Sequence, residues 1–172
     1  MLLSYLNNNP QIDQTVFIAE GAKIIGNVSI KAQSNIWYNS VIRADVAPVF
    51  IGMQTNIQDG TIIHTSRFNG PCTIGDRVTI GHLCLLHACN LHNDAFVGMG
   101  SMVMDKASVE SFGFLAANSL LTPGKTVKSH ELWAGSPAKF VRKTTDEELF
   151  LIKDTPAHYM ILAENHAKSV KL

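Results

Sequence analysis

The sequence of 172 residues predicts an all-β solenoid of about six coils, followed by a C-terminal α-helix. Two patterns predict the solenoid and a third predicts the helix. Aliphatic side chains recur every six positions: Ile18, Ile24, Ile30, Ile36 and Ile42; then Ile51, Ile57 and Ile63; then Ile74, Ile80 and Leu86; then Leu91, Val97, Val103, Val109, Leu115, Leu121 and Val127. Four residues after these sit mostly small side chains, among them Ala22, Ser34, Ser40, Thr55, Thr61, Ala95, Ser101, Ala107 and Ser119. After residue 143 the pattern changes, with Thr144, Thr145 and Asp146 as helix starters and Thr145 and Glu148 at capping-box spacing.

A period of six suits neither an amphipathic helix nor a two-sided strand. It suits a coil with three short flat faces, in which the aliphatic residue points into a triangular core and the small one sits near a tight corner. Such coils bury a core only by stacking on their neighbours. The pattern resembles the hexapeptide-repeat family, and that resemblance, not the spacing, implies a left-handed parallel β-helix.

Taken in order, residues 1–17 are polar and irregular, a cap over the first coil. Residues 18–130 form the β-helix. Two insertions interrupt it, Asp45–Phe50 and Thr65–Thr73, and the second carries the turn residues Asn69, Gly70 and Pro71. Residues 131–172 form an exit loop and the helix, whose stripe of Leu149, Ile152, Tyr159, Ile161 and Leu162 runs to about His166, with a break or kink expected at Pro156.

Net charge is zero, which gives no reason to expect nucleic acid or an anionic membrane as a partner. No apolar run reaches the roughly 18 residues of a membrane span. The opening MLLSYLNNNPQID lacks the basic and apolar segments of a secretory signal. Cys72, Cys84 and Cys89 form no CxxC pair, and a reduced, cytoplasmic setting is expected.

Coil arithmetic locates the polar residues. Ile42, Ile63 and Leu86 fall on one face in successive coils, and Arg43, His64 and His87 each follow by one residue. These three should stack roughly 5 Å apart, the spacing of neighbouring strands. Asp59 and His82 stack likewise on the preceding corner, with Gln58 beside them. At strand spacing, His64 and His87 can share one ion at the roughly 2.0–2.1 Å of a zinc–nitrogen bond. His82, five residues before His87 and across a corner, is too far to complete that site within one chain, so a second subunit is expected to supply it. Plain structural readings exist beside these: Arg43 and Asp45 as a surface pair, Gln58 and Asp59 as corner caps.

RAD at Arg43–Asp45, TNIQDGTIIH at Thr55–His64, GHLCLLH at Gly81–His87 and GSPAK at Gly135–Lys139 resemble the γ-class carbonic anhydrase family. The resemblance implies a homotrimer with an intersubunit metal site: His64 and His87 from one subunit, His82 from the next, and Arg43 and Asp45 paired between subunits. It implies zinc, with iron(II) or cobalt as alternatives, since imidazole suits all three. It further implies that Gln58 orients water or bicarbonate, that Asp59 hydrogen-bonds near the site, and that Tyr159 approaches the metal. The implied activity is reversible hydration of carbon dioxide to bicarbonate, since a three-histidine site with an open position activates water near neutral pH. Family members carry glutamate proton relays beside the metal, whereas here Val46 follows Asp45 and no glutamate lies between Gly21 and Val109. Slow turnover is therefore expected. A non-catalytic trimeric scaffold and a hexapeptide-repeat acyltransferase using acyl-CoA remain as rival readings.

Overall fold

The computed structural model describes residues 1–169. Three flat faces wind around one apolar shaft. On the first face, Phe17–Ile18, Asn35–Ile36, Asn56–Ile57, Thr79–Ile80, Phe96–Val97, Phe114–Leu115 and Glu131–Gly135 stack in parallel. Ile18, Ile36, Ile57, Ile80, Val97, Leu115 and Trp133 are successive register partners. The solenoid therefore gains one rung, at Trp133, beyond the last aliphatic hexad. The other two faces form one 12-stranded sheet, because the long strands Lys23–Ile30 and Val41–Ile51 run through the corner between them.

The six-residue period has a direct physical cause. Ile24, Ile36, Ile42, Ile57, Ile63, Ile80, Leu86 and Leu115 are fully buried in the shaft. Full burial of one such side chain contributes roughly 1.5–3 kcal/mol. The small residues are buried at the corners, where a larger side chain has no room. Several also satisfy corner carbonyls: Ser34 donates to Gly52 O at 2.6 Å, Thr55 to Gly75 O at 2.8 Å and Thr61 to Gly81 O at 3.1 Å. A hydroxyl there meets a backbone acceptor that would otherwise be buried without a donor.

Both insertions lie at corners. The first bulges the strand Val41–Ile51, shifting its register against Lys23–Ile30 between Gly26 and Val28. In the second, Ser66 and Gly70 exchange backbone hydrogen bonds of 2.9 and 3.1 Å, and Cys72–Ile74 then pairs with Val49–Ile51. The N-terminal cap is a partial coil, with Leu2–Leu3 and Gln11–Ile12 added to Lys23–Ile30. The three cysteines are free and buried.

The exit is a hairpin, not a loop. Glu131–Gly135 turns back as the antiparallel strand Ala138–Lys143, because Leu132 and Trp133 still have a rung to cover at Phe114 and Leu115. The helix runs unbroken from Asp146 to Ala167, with the expected capping box between Thr145 and Glu148. Of the break or kink expected at Pro156, the break is absent, since the helix continues through that residue. Pro156 is buried along with Ile152 and Ala163, so packing on the solenoid offsets the lost helical hydrogen bond. The helix lies across the first face, where Trp37 meets Tyr159 at 5.4 Å and His166 at 5.0 Å between ring centroids. No helix among the described residues is long and apolar enough to cross a membrane.

Candidate metal centre

Arg43, His64 and His87 occupy adjacent strands in the register that the spacing predicts. Pleating turns the side chain after each buried aliphatic outward, so the two imidazoles project side by side with ring centroids 5.2 Å apart. His64 Nδ1 and His87 Nε2 face each other at 3.2 Å. Two nitrogens bound to one tetrahedral zinc at 2.0–2.1 Å lie roughly 3.3 Å apart, so this pair fits a shared ion.

The outward nitrogens are both tied to carboxylates. His64 Nε2–H donates to Asp45 Oδ1 at 2.9 Å, and His87 Nδ1–H donates to Asp105 Oδ1 at 2.5 Å. Metal-ligating histidines usually carry such a partner, which fixes the ring and its tautomer. Asp45 also accepts from Arg43 Nη1 of the same strand. The resemblance places that pair between subunits; in the single chain both ends belong to one protomer. Burial pushes the Asp45 carboxyl up, but the hydrogen bonds from His64 and Arg43 outweigh it and hold the group below its ordinary value. Asp105 behaves the same way: burial raises it, and bonds from Asn69 and His87 bring it lower overall.

His82 stands apart. Its Nδ1 lies 2.8 Å from Asp59 Oδ2, and this carboxylate–histidine pair occupies the preceding corner. Among the described residues, no three His, Cys, Asp or Glu side chains of one chain are arranged to hold a metal ion. One chain thus presents two separate pieces, the His64–His87 pair and the His82–Asp59 pair. The corner under His82 is tight: a Cβ on Gly60, whose φ is +69°, would meet Leu83 Cδ2 at 2.6 Å.

No family model matches the chain. Gamma carbonic anhydrase 2, mitochondrial, of Arabidopsis thaliana is 42% identical over 171 residues, covering 96% of this chain and 62% of that protein. The chain thus spans under two thirds of that plant relative. A carbonic anhydrase of Geobacillus kaustophilus is 42% identical over 149 residues, covering 87% of this chain and 81% of the relative. The chain belongs to the γ-class carbonic anhydrase family. Among solved structures, a hexapeptide transferase family protein of Anaplasma phagocytophilum superposes with a TM-score of 0.93 at 51% identity, covering 96% of this chain and 97% of that one. The architecture is accordingly the left-handed β-helix that the repeat resembles.

The other site residues expected from the family fall beside the His82 piece. Gln58 is buried, and its Nε2 donates to Asn56 Oδ1 at 3.0 Å; Asn56 in turn donates to Thr79 Oγ1 at 2.9 Å. Gln58 is therefore part of an internal polar ladder. Tyr159 reaches this region from the helix: burial, and then the negative charge of Asp59, push its hydroxyl pKa up. Sequence reasoning missed Asn56, Asn69 and Asp105. Asp105 lies one coil beyond His87 but follows the buried Val103 by two residues, so the arithmetic that paired the histidines leads to Met104 and passes it by.

Proposed function

We propose that this chain is a carbonic-anhydrase-like metalloenzyme, a lyase for the reversible hydration of carbon dioxide to bicarbonate, working as a homotrimer. His64 and His87 of one subunit and His82 of the next hold a divalent transition ion, most simply zinc, with iron(II) or cobalt as alternatives. The observation that carries this is the pair of ring nitrogens 3.2 Å apart, each ring anchored from behind by a carboxylate, while His82 is anchored separately on Asp59. When bound, such an ion acts as a Lewis acid that makes water nucleophilic near neutral pH.

The chain's own residues do the rest. Asp45 and Asp105 accept the outward N–H of His64 and His87, and Asp59 lies 2.8 Å from His82 Nδ1, which leaves the opposite nitrogens to ligate. Gln58, held in the buried ladder, orients the water or bicarbonate oxygen. Tyr159 borders the Asp59 corner and limits access from the helix side. Val46 follows Asp45 and no glutamate lies between Gly21 and Val109 to act as a relay, so on this reading the proton leaves through solvent and buffer. Three buried free thiols accord with a reducing, cytoplasmic setting.

The test is metal content followed by carbon dioxide hydration on anaerobically purified protein. Close to one divalent ion per chain is expected, lost on chelation and in His64→Ala or His87→Ala. Full metal loading in either variant overturns the ligand assignment. Metal-loaded protein with no hydration at any buffer concentration leaves the trimeric scaffold as the better reading. Metal-free protein that turns over acyl-CoA supports the acyltransferase.

A further inference from the structure

His87 is held from outside by a relay that begins in the second insertion. Its Nδ1–H donates to Asp105 Oδ1 at 2.5 Å, and Asp105 Oδ2 accepts from Asn69 Nδ2 at 2.7 Å. Asp105 sits one coil beyond His87, at the corner after Met102–Val103. Asn69 comes from the loop inserted directly after the strand of His64. The relay thus spans three coils.

The loop is built to present Asn69. Ser66 and Gly70 close it through paired backbone hydrogen bonds, and Ser66 Oγ accepts from the backbone N–H of Asn69 at 3.1 Å and of Phe68 at 3.3 Å. A carboxylate with one oxygen fixed by an amide has only the other for an imidazole, so its rotation stops. Side-chain exposures of 19% for Asp105 and 29% for His87 leave water little room to substitute. The remaining nitrogen, His87 Nε2, then carries its lone pair toward His64.

We propose that Asn69 and Asp105 are positioning residues that set the ring orientation and tautomer of His87, which makes loop 65–71 the device that prepares a metal ligand. The proposal rests on the reading of His64 and His87 as ligands. Its geometric half concerns the metal-free chain and stands independently. Outer partners of ligating histidines typically govern 10–100-fold in metal affinity.

The experiment uses the full-length protein and two readouts: ring-nitrogen NMR of metal-free protein, and zinc affinity by chelator competition. In wild type, His87 should be the Nδ1–H tautomer. Asp105→Ala should lose that signature and weaken zinc binding by roughly 10–100-fold. Asn69→Ala should weaken it by about tenfold or less, and Asn69→Asp by more than Asn69→Ala, because it sets a second negative charge against Asp105. The two Asn69 variants decide the matter if Asp105→Ala does not fold. Phe68→Ala, at an exposed position of the same loop, should change neither readout. Variants that lower the thermal midpoint yet keep the tautomer and the zinc affinity overturn the proposal. If wild type takes up no zinc while the tautomer still depends on Asp105 and Asn69, the clamp holds and the metal reading falls.

Discussion

Val46 follows Asp45 on the bulged strand Val41–Ile51, with 49% of its surface exposed. An aliphatic side chain there can neither take up nor pass on a proton. Removing a proton relay typically costs 100- to 10,000-fold in the step it serves. Hydration should therefore be weak at low buffer and rise with an imidazole-type buffer. Val46→Glu should raise turnover at low buffer and flatten that response, in stopped-flow assays of carbon dioxide hydration. Fast wild-type turnover that ignores added buffer contradicts this account. At this scale the sequence was informative where residues share a column. His64 and His87 were found because both follow a buried aliphatic by one position, and the loop between them leaves that phase intact. Asp105 is out of that phase, because it follows Val103 by two positions and the matching place in the next coil is Met104. Asn69 could not be found this way, because it reaches Asp105 through an insertion whose path no period specifies.

The C-terminal helix begins on a capping box in which Glu148 accepts from the Thr145 backbone at 2.8 Å and from both terminal nitrogens of Arg142 at 2.7 and 2.8 Å. The Arg142 hydrogen bonds, then the cap, hold the Glu148 carboxyl below its ordinary value despite burial. A depressed carboxyl stabilises the fold above its unfolded-state pKa of about 4.3, and that contribution disappears as pH falls through the folded value. Glu148→Gln should therefore cost about 0.5–1 kcal/mol at neutral pH, where it also removes an acid from the helix N-terminus. The gap between the two melting curves should close on acidification below about pH 4. A gap unchanged between pH 7 and pH 3 rules this out. The solenoid hexads and this cap were readable because each rests on local residue chemistry. The exit hairpin and the unbroken helix at Pro156 were not, since both depend on what the segment covers after the chain has folded.

Over the whole molecule, the His82 corner stands out for what surrounds it. Leu83 is 72% exposed, Met99 56%, Met102 46% and Ile62 46%, a cluster of large apolar side chains left in solvent by one chain. A second copy covering these residues would bring its own ring nitrogens toward His82. Mixing His82→Ala with His87→Ala chains should then restore one intact site in some trimers, with His64 and His87 from the first chain and His82 from the second. Recovery of metal binding on mixing, measured against each variant alone, checks this; a monomer with a full complement of metal rules it out. On the proposed ligand assignment, the division of ligands between two surfaces of the chain would make metal occupancy and association a single equilibrium. An ion that binds only the assembled form stabilises it by mass action, about 2.7 kcal/mol at a hundredfold excess over its dissociation constant. Chelation should loosen the quaternary structure, and dilution should release the ion. A freshly made chain would then stay chemically silent until enough copies accumulate, so that catalytic capacity rises with protein concentration more steeply than in direct proportion.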